Sequence, residues 1–117
     1  MLNPVQVTFR DMNPSESVRT LCEEEADKLI KVCEDITSCH VTIATPHQHH
    51  QKGALHSVHV EVHVPGQKFA AGHDDHTDHT HEDLMTATRD AFRTVRKQID
   101  SWNTKRRDIR RRGHGQD

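Results

Sequence analysis

The chain is predicted to be α+β, with the order β-α-β-β-β-α: a four-stranded mixed sheet with two helices packed on one face. Three observations lead there. Four short stretches alternate apolar and polar residues, and two longer ones repeat apolar residues every 3.6 positions. The first helical stretch lies between two strands, so it can act as a crossover that leaves them parallel. The last three strands follow one another and can form an antiparallel meander.

Val5 to Arg10 (VQVTFR) places Val5, Val7 and Phe9 on one side, as a half-buried strand does. Asp11-Met12-Asn13 ends it. Asn13 is placed to cap a helix with Pro14 at its first position and Glu16 closing a capping box, and Ser15 is the alternative cap. The helix then runs to about Cys33 on a stripe of Val18, Leu21, Cys22, Ala26, Leu29 and Cys33. On its other face Glu23, Glu24, Glu25 and Asp27 come early and Lys28 and Lys31 late, an order that suits the helix dipole without any functional meaning.

Ile36 to Thr45 reads as the second strand, with Cys39, Val41 and Ile43 facing the core and Ser38, His40 and Thr42 facing away. Pro46 to Gly53 is a polar loop. The third strand has the cleanest alternation in the chain: Val58, Val60, Val62 and Val64 on one side, Ser57, His59, Glu61 and His63 on the other. Pro65-Gly66 turns it back, and Gln67 to Ala71 is a short fourth strand. Residues 72–81 (GHDDHTDHTH) form a polar His/Asp-rich link.

A long basic helix follows, from Asp83 to Arg112. Leu84, Thr88, Ala91, Val95, Ile99 and Trp102 fall in one stripe about 80° wide, and Trp102 reads as its last core residue rather than as a stacking platform. Arg89, Arg93, Arg96, Lys97, Arg107 and Arg111 project from roughly the opposite side. A merely solvated face would balance its charges by ion pairs one turn apart, yet only Asp90, Asp100 and Asp108 are at hand. Fixed guanidinium groups in a row match a phosphate backbone. The expected arrangement is one domain over residues 1–112, with 113–117 as a disordered tail.

The totals agree with a small soluble domain. Of 117 residues 32% are apolar and none is Tyr, so the core must be economical. No apolar run approaches the roughly 20 residues of a membrane span, and the N-terminus lacks a signal pattern, so a cytoplasmic location is expected. Three cysteines without a Cys-x-x-Cys fit a reducing compartment. Cys22 and Cys33 share a helix face but lie about 16 Å apart along it, too far for a disulfide. All three read as small core residues. The net charge of −2 conceals a division: residues 1–81 carry 6 basic and 12 acidic side chains, residues 82–117 carry 10 and 6. The second part would lead any encounter with a polyanion.

Twelve histidines raise the question of metal. His59 and His63, four apart on a strand, are separated by about 13 Å and cannot share an ion. His40 and His59 are on adjacent strands and could pair. His73, His76 and His79 offer ligands without a spacing that fixes a geometry. These are the metal candidates, and adventitious binding is the plainer account, so no cofactor is expected. There is no nucleophile elbow, phosphate loop or His-Glu-x-x-His, and an enzyme is not expected.

With this order in view, the chain resembles the ribosome hibernation-promoting factors, also called ribosome-associated inhibitors or sigma-54 modulation proteins, over about residues 5–107. Ser15-Glu16-Ser17-Val18-Arg19 is similar to the family's Thr-Glu-Ala-Leu-Arg, and Ala26-Asp27-Lys28-Leu29 to its later Lys-Leu. Val58 to Gly66 resembles its third strand and turn. Asp83-Leu84-Met85-Thr86-Ala87 is similar to Asp-Met-Tyr-Ala-Ala, and Lys97-Gln98-Ile99 to Arg-Gln-Leu.

The resemblance implies a non-enzymatic translation inhibitor. It would bind the small ribosomal subunit near the channel for messenger and transfer RNA, supporting ribosome hibernation under stress, with no cofactor, membrane or small-molecule substrate. By position Arg19, Lys28 and Lys97 match family basic sites. The helical wheel adds Arg89, Arg93, Arg96, Lys105, Arg106 and Arg107, and Lys31 lies on the charged face of the first helix. These ten are the expected RNA contacts. The chain departs from the pattern at Glu25, where the family has lysine, at Met85, where it has tyrosine, and in the histidine-rich link. It resembles the short form, without the added dimerisation domain. The alternative function is a divergent metal- or pH-responsive binding protein of the same fold that no longer binds ribosomes, motivated by the histidines and the Glu23–Glu25 run.

Overall fold

The computed structural model describes residues 4–44, 56–75 and 81–116, with side chains placed for 4–44, 57–72 and 84–107. The elements follow the expected order: β1 (Val5–Arg10), α1 (Glu16–Val32), β2 (Ser38–Ala44), β3 (His56–Val64), β4 (Gln67–Asp75) and α2 (His81–Gln116). The four strands form one sheet in the order β1-β2-β3-β4. β1 and β2 are parallel, and the other two pairs are antiparallel. Both helices cover one face.

The core face is set by the pleat. Val5, Val7 and Phe9 stand beside Cys39, Val41 and Ile43, and these beside Val62, Val60 and Val58. All six of the β2 and β3 residues are buried. The helices close over them with Val18, Leu21, Cys22, Ala26 and Leu29 from α1 and Leu84, Ala87, Ala91, Phe92, Val95 and Ile99 from α2. Each buried Val, Leu, Ile or Phe of this set contributes about 1.5–3 kcal/mol to folding, and the alanines less. Thr88 is the one buried polar residue among the described residues, and its hydroxyl donates to the Leu84 carbonyl at 2.8 Å.

The turn between β3 and β4 uses Pro65 and Gly66. Gly66 has φ 80°, a left-handed conformation that an L side chain resists. On the uncovered face the register sets Gln6, His40, Glu61 and Ala70 in one row and Thr8, Thr42, His59 and Gly72 in the next.

Several boundaries differ from expectation. The cap of α1 is Ser15, not Asn13: Ser15 has extended backbone and its hydroxyl accepts from Val18 N–H at 3.3 Å. Helical geometry thus begins at Glu16, two residues past Pro14. β4 does not stop at Ala71 but pairs with β3 as far as Asp75 opposite His56, because the backbone ladder continues whatever the polarity of the side chains. The first residues of the expected polar link are therefore strand, while residues 76–80 lie outside the described residues. α2 begins at His81 and is helical to Gln116, past the expected stop at Arg112. Glycine in a helix costs about 1 kcal/mol, which weakens a terminal turn without forbidding it.

Candidate nucleic-acid interface

Arg89, Arg93 and Arg96 occupy successive turns of α2, at i, i+4 and i+7, so their side chains rise from one face of the helix. That face borders α1. The two helices leave a groove of about 250 Å³ between them, lined by Glu25, Lys28 and Leu29 of α1 and by Arg89, Phe92, Arg93 and Arg96 of α2. Leu29 and Phe92 are buried and form an apolar floor. The rim carries four cations and one carboxylate.

Most of the rim cations hold a weak local partner. Lys28 Nζ lies 3.2 Å from Glu25 Oε2, Arg93 Nη1 3.1 Å from Asp90 Oδ1, and Arg96 Nε 3.2 Å from Asp100 Oδ2. All are pairs one turn apart with exposed cations, each contributing about 0.3–0.5 kcal/mol. Arg89 has no ion pair among the described residues. A polyanion can replace such partners at small cost, and guanidinium groups offer it bidentate donors.

The other expected contacts are dispersed. Arg19 turns to the β1 side of α1, where its guanidinium lies 5.3 Å from the Phe9 ring centroid and its Nε 4.0 Å from Glu16. Lys31 pairs with Asp27 at 3.3 Å. Neither lines the groove. Lys97, Lys105 and Arg107 are exposed and make no ion pair among the described residues. Arg106 is committed elsewhere: its Nη1 donates to Asp35 Oδ2 at 2.7 Å, and its guanidinium carbon lies 4.2 Å from the Trp102 ring centroid. The sequence offered Asp90, Asp100 and Asp108 as partners for the basic row and gave no sign of Asp35.

The acidic run of α1 is also divided. Glu23, Glu24 and Asp27 line a separate depression with Pro4, Val5, Thr20 and Ile30, on the β1 side. Only Glu25 faces the groove. The Glu23–Glu25 run, which looks like a single acidic block in the sequence, opposes the basic face with one carboxylate.

Phe92 lies outside the 80° stripe expected from the sequence, yet it is 2% exposed and floors the groove. A stripe of 100° or more, the usual width for a helix packed on a core, includes it beside Thr88 and Ala91. Trp102 is half-buried, packed on the core cluster and edge-on to Phe69 at 5.5 Å, in keeping with a core role.

The open sheet face gathers His40, His59 and His63, which make no metal site among the described residues. His40 stands opposite Glu61 and His59 opposite Thr42, so the two histidines are diagonal rather than paired. His40 Nε2 lies 3.2 Å from Thr8 Oγ1. Glu61 accepts from Lys68 at 3.0 Å, and this hydrogen bond holds its carboxyl below the usual range, assisted by the charge of Lys68 and by His63 and His59. Among the described residues no three His, Cys, Asp or Glu side chains converge on a possible ion. The backbone of His73 lies in β4, but its side chain, with His76 and His79, lies outside the described residues. Cys22, Cys33 and Cys39 are free and buried, and burial pushes the Cys22 and Cys39 thiols up to about 12. No described helix is long and apolar enough to cross a membrane.

A ribosomal subunit interface protein from Coxiella burnetii superposes with a TM-score of 0.67 at 15% identity, over 86% of this chain and 97% of that one. The N-terminal domain of Protein Y from Thermus thermophilus gives 0.61 at 13% identity, over 83% and 94%. At these identities the likeness establishes a shared fold. No curated protein matches the sequence. The sequence profile of one family, however, spans residues 5–107, from the first residue of β1 to the last described side chain of α2. The chain belongs to the sigma 54 modulation protein / S30EA ribosomal protein family.

Proposed function

We propose that this protein is a non-enzymatic, ribosome-associated translation inhibitor. It binds the small ribosomal subunit near the messenger and transfer RNA channel and supports hibernation of idle ribosomes under stress. The observation that carries the reading is the convergence of Lys28, Arg89, Arg93 and Arg96 on one groove in a member of this family. Lys28, Arg93 and Arg96 hold only weak pairs one turn away, Arg89 holds none among the described residues, and the bulk of the α1 acids lie on the other side of that helix. Lys97, Lys105 and Arg107 are further exposed cations on the same helix, with no ion pair among the described residues, which adds to its attraction for a polyanion. The described residues offer no ligand cluster for the metal-responsive alternative.

The test is co-sedimentation of purified protein with small ribosomal subunits through sucrose at low and high salt. Phosphate-mediated binding predicts pelleting at low salt that is lost at high salt, and competition by transfer RNA places the site in the channel. The Arg93→Glu/Arg96→Glu variant should not pellet. Unchanged pelleting by that variant would overturn the assignment of the groove, and no pelleting of the wild-type chain would overturn the function.

A further inference from the structure

Where the apolar stripe of α2 runs out, the structure holds a second site of different chemistry. Trp102 rests edge-on against Phe69, with an interplanar angle of 65°. The Arg106 guanidinium lies over its ring at 4.2 Å and is gripped by Asp35 of the α1–β2 turn at 2.7 Å. Arg106 Nε is buried and finds no acceptor among the described residues. A planar cation is thus fixed by a ring on one side and a carboxylate at its edge, while 36% of its side chain remains open to solvent. Beside it is a notch of about 320 Å³, lined by Val32, Glu34, Asp35, Asn103 and Arg107 among others. That volume is at the small end of ligand-sized clefts, which run from about 300 to 1,000 Å³.

The chemistry of the notch argues against a phosphate. Two carboxylates, Glu34 and Asp35, stand at its wall. The end of α1 also opens here at Val32 and Cys33, and the carbonyls of a helix C-terminus carry partial negative charge. Val32, 43% exposed, adds an apolar edge. A flat cationic platform, carboxylate acceptors and an apolar rim suit a planar, uncharged ligand that presents hydrogen-bond donors. Unpaired RNA bases are planar and stack on guanidinium planes. Of the four bases, guanine sets N1–H and the N2 amino group side by side, a match for one carboxylate.

We infer that the notch between the α1–β2 turn and α2 receives an unpaired guanine of the bound RNA. The base stacks on the Arg106 guanidinium, and its Watson–Crick edge donates to Glu34. Asp35 is a positioning residue that keeps Arg106 flat on Trp102. Glu34 reads the base, because its carboxylate has no ion pair among the described residues whereas Asp35 is already engaged. Asn103 and Arg107 stand on the same rim as donors for the O6 and N7 side. The inference rests on the RNA-binding reading of α2 and adds base selectivity to it: the groove takes backbone phosphates and the notch takes a base.

Trp102 is the sole tryptophan, so its emission reports directly on the platform. The purified chain is titrated at low salt with short oligouridines carrying one central guanine, inosine, adenine or cytosine. Saturable quenching by the guanine oligonucleotide is expected, with about tenfold weaker apparent binding for inosine, which lacks the N2 amino group, and for adenine. Glu34→Gln should erase that preference while leaving binding of the other oligonucleotides intact, a pattern that a purely structural role would not give.

Equal response to all four oligonucleotides, or no change in Trp102 emission with any of them, overturns the inference. So does a saturable emission change with RNA-free ribosomal proteins alone, which would assign the notch to a peptide. Subunit pelleting is scored in parallel. A wild-type chain that pellets but shows no guanine preference loses the notch and keeps the proposed function. Guanine preference without pelleting loses the function and keeps the notch.

Discussion

Arg106 Nη1 donates to Asp35 Oδ2 across 2.7 Å, tying α2 to the turn after α1 over a separation of 71 residues. The pair is partly exposed, at 36% and 46% for the two side chains, so its own contribution is about 1 kcal/mol. Asp35→Ala should lower the melting temperature by about 4 °C, since a 1 kcal/mol loss shifts a domain of this size by roughly that amount. Thermal unfolding followed by circular dichroism measures it. An unchanged midpoint would mean that the Trp102 stack alone holds Arg106.

Among the described residues Glu25 is the one carboxylate on the rim of the α1–α2 groove, and it occupies Lys28 at 3.2 Å. Glu25→Gln releases the lysine and removes a repulsion, so binding to small subunits should tighten several-fold. Lys31→Gln, outside the groove, should leave it unchanged. Arg89→Gln should weaken binding and flatten its salt dependence by about 0.7–0.9 in log–log slope, the effect of one lost phosphate contact. Affinities measured across a salt series separate these outcomes.

Phe92 is 2% exposed and joins the floor of the groove to the core. Phe92→Ala should cost about 3–5 kcal/mol, from lost transfer energy and the cavity left behind. Against a usual total of about 5–15 kcal/mol this is a large fraction of the stability. Urea unfolding should show a lower midpoint with the slope retained. A loss below 1 kcal/mol would place Phe92 outside the packed core.

Cys22 and Cys39 have thiols raised from 9.0 to about 12 by burial. Below pH 9 both are protonated in the folded and unfolded chains, and the stability they contribute is fully present. Between pH 9 and 12 the unfolded chain ionises first, so that stability is lost as the pH rises. Urea unfolding at pH 7, 8 and 10 should show no thiol-dependent loss until the last, and Cys22→Ala should reduce the drop at pH 10. At pH 8 a thiol reagent should modify these cysteines no faster than the protein opens, because the thiolate is the reacting form.

What could be read from the sequence was what repeats locally. The valines at 58, 60, 62 and 64 announced β3, because alternation along a strand fixes which side faces a core. The stripe from Val18 to Cys33 announced α1 in the same way. Boundaries were less legible where two residues could serve one role. Asn13 and Ser15 both have capping side chains, and the choice was made by which oxygen reached an N–H, Ser15 to Val18. Polar Gly72 to Asp75 hides the second half of β4 from its side-chain pattern, whereas a ladder with β3 depends on backbone groups that every residue carries.

The candidate site divides along the same line. The sequence determined the element order, the inward faces and the presence of a guanidinium row on α2, all of which follow from the periods of strand and helix. It did not determine which cations meet. Lys28 and Arg19 lie nine positions apart on one helix, yet Lys28 faces the groove and Arg19 lies over Phe9. Glu25 faces the groove while Glu23 and Glu24 line the β1 side. Asp35 meets Arg106 only because the turn after α1 comes to rest beside α2 about seven turns from its start. These juxtapositions depend on how each helix is rotated about its axis when its apolar stripe seats on the sheet. That rotation is set by the packing of side chains distant in sequence, and no local period encodes it.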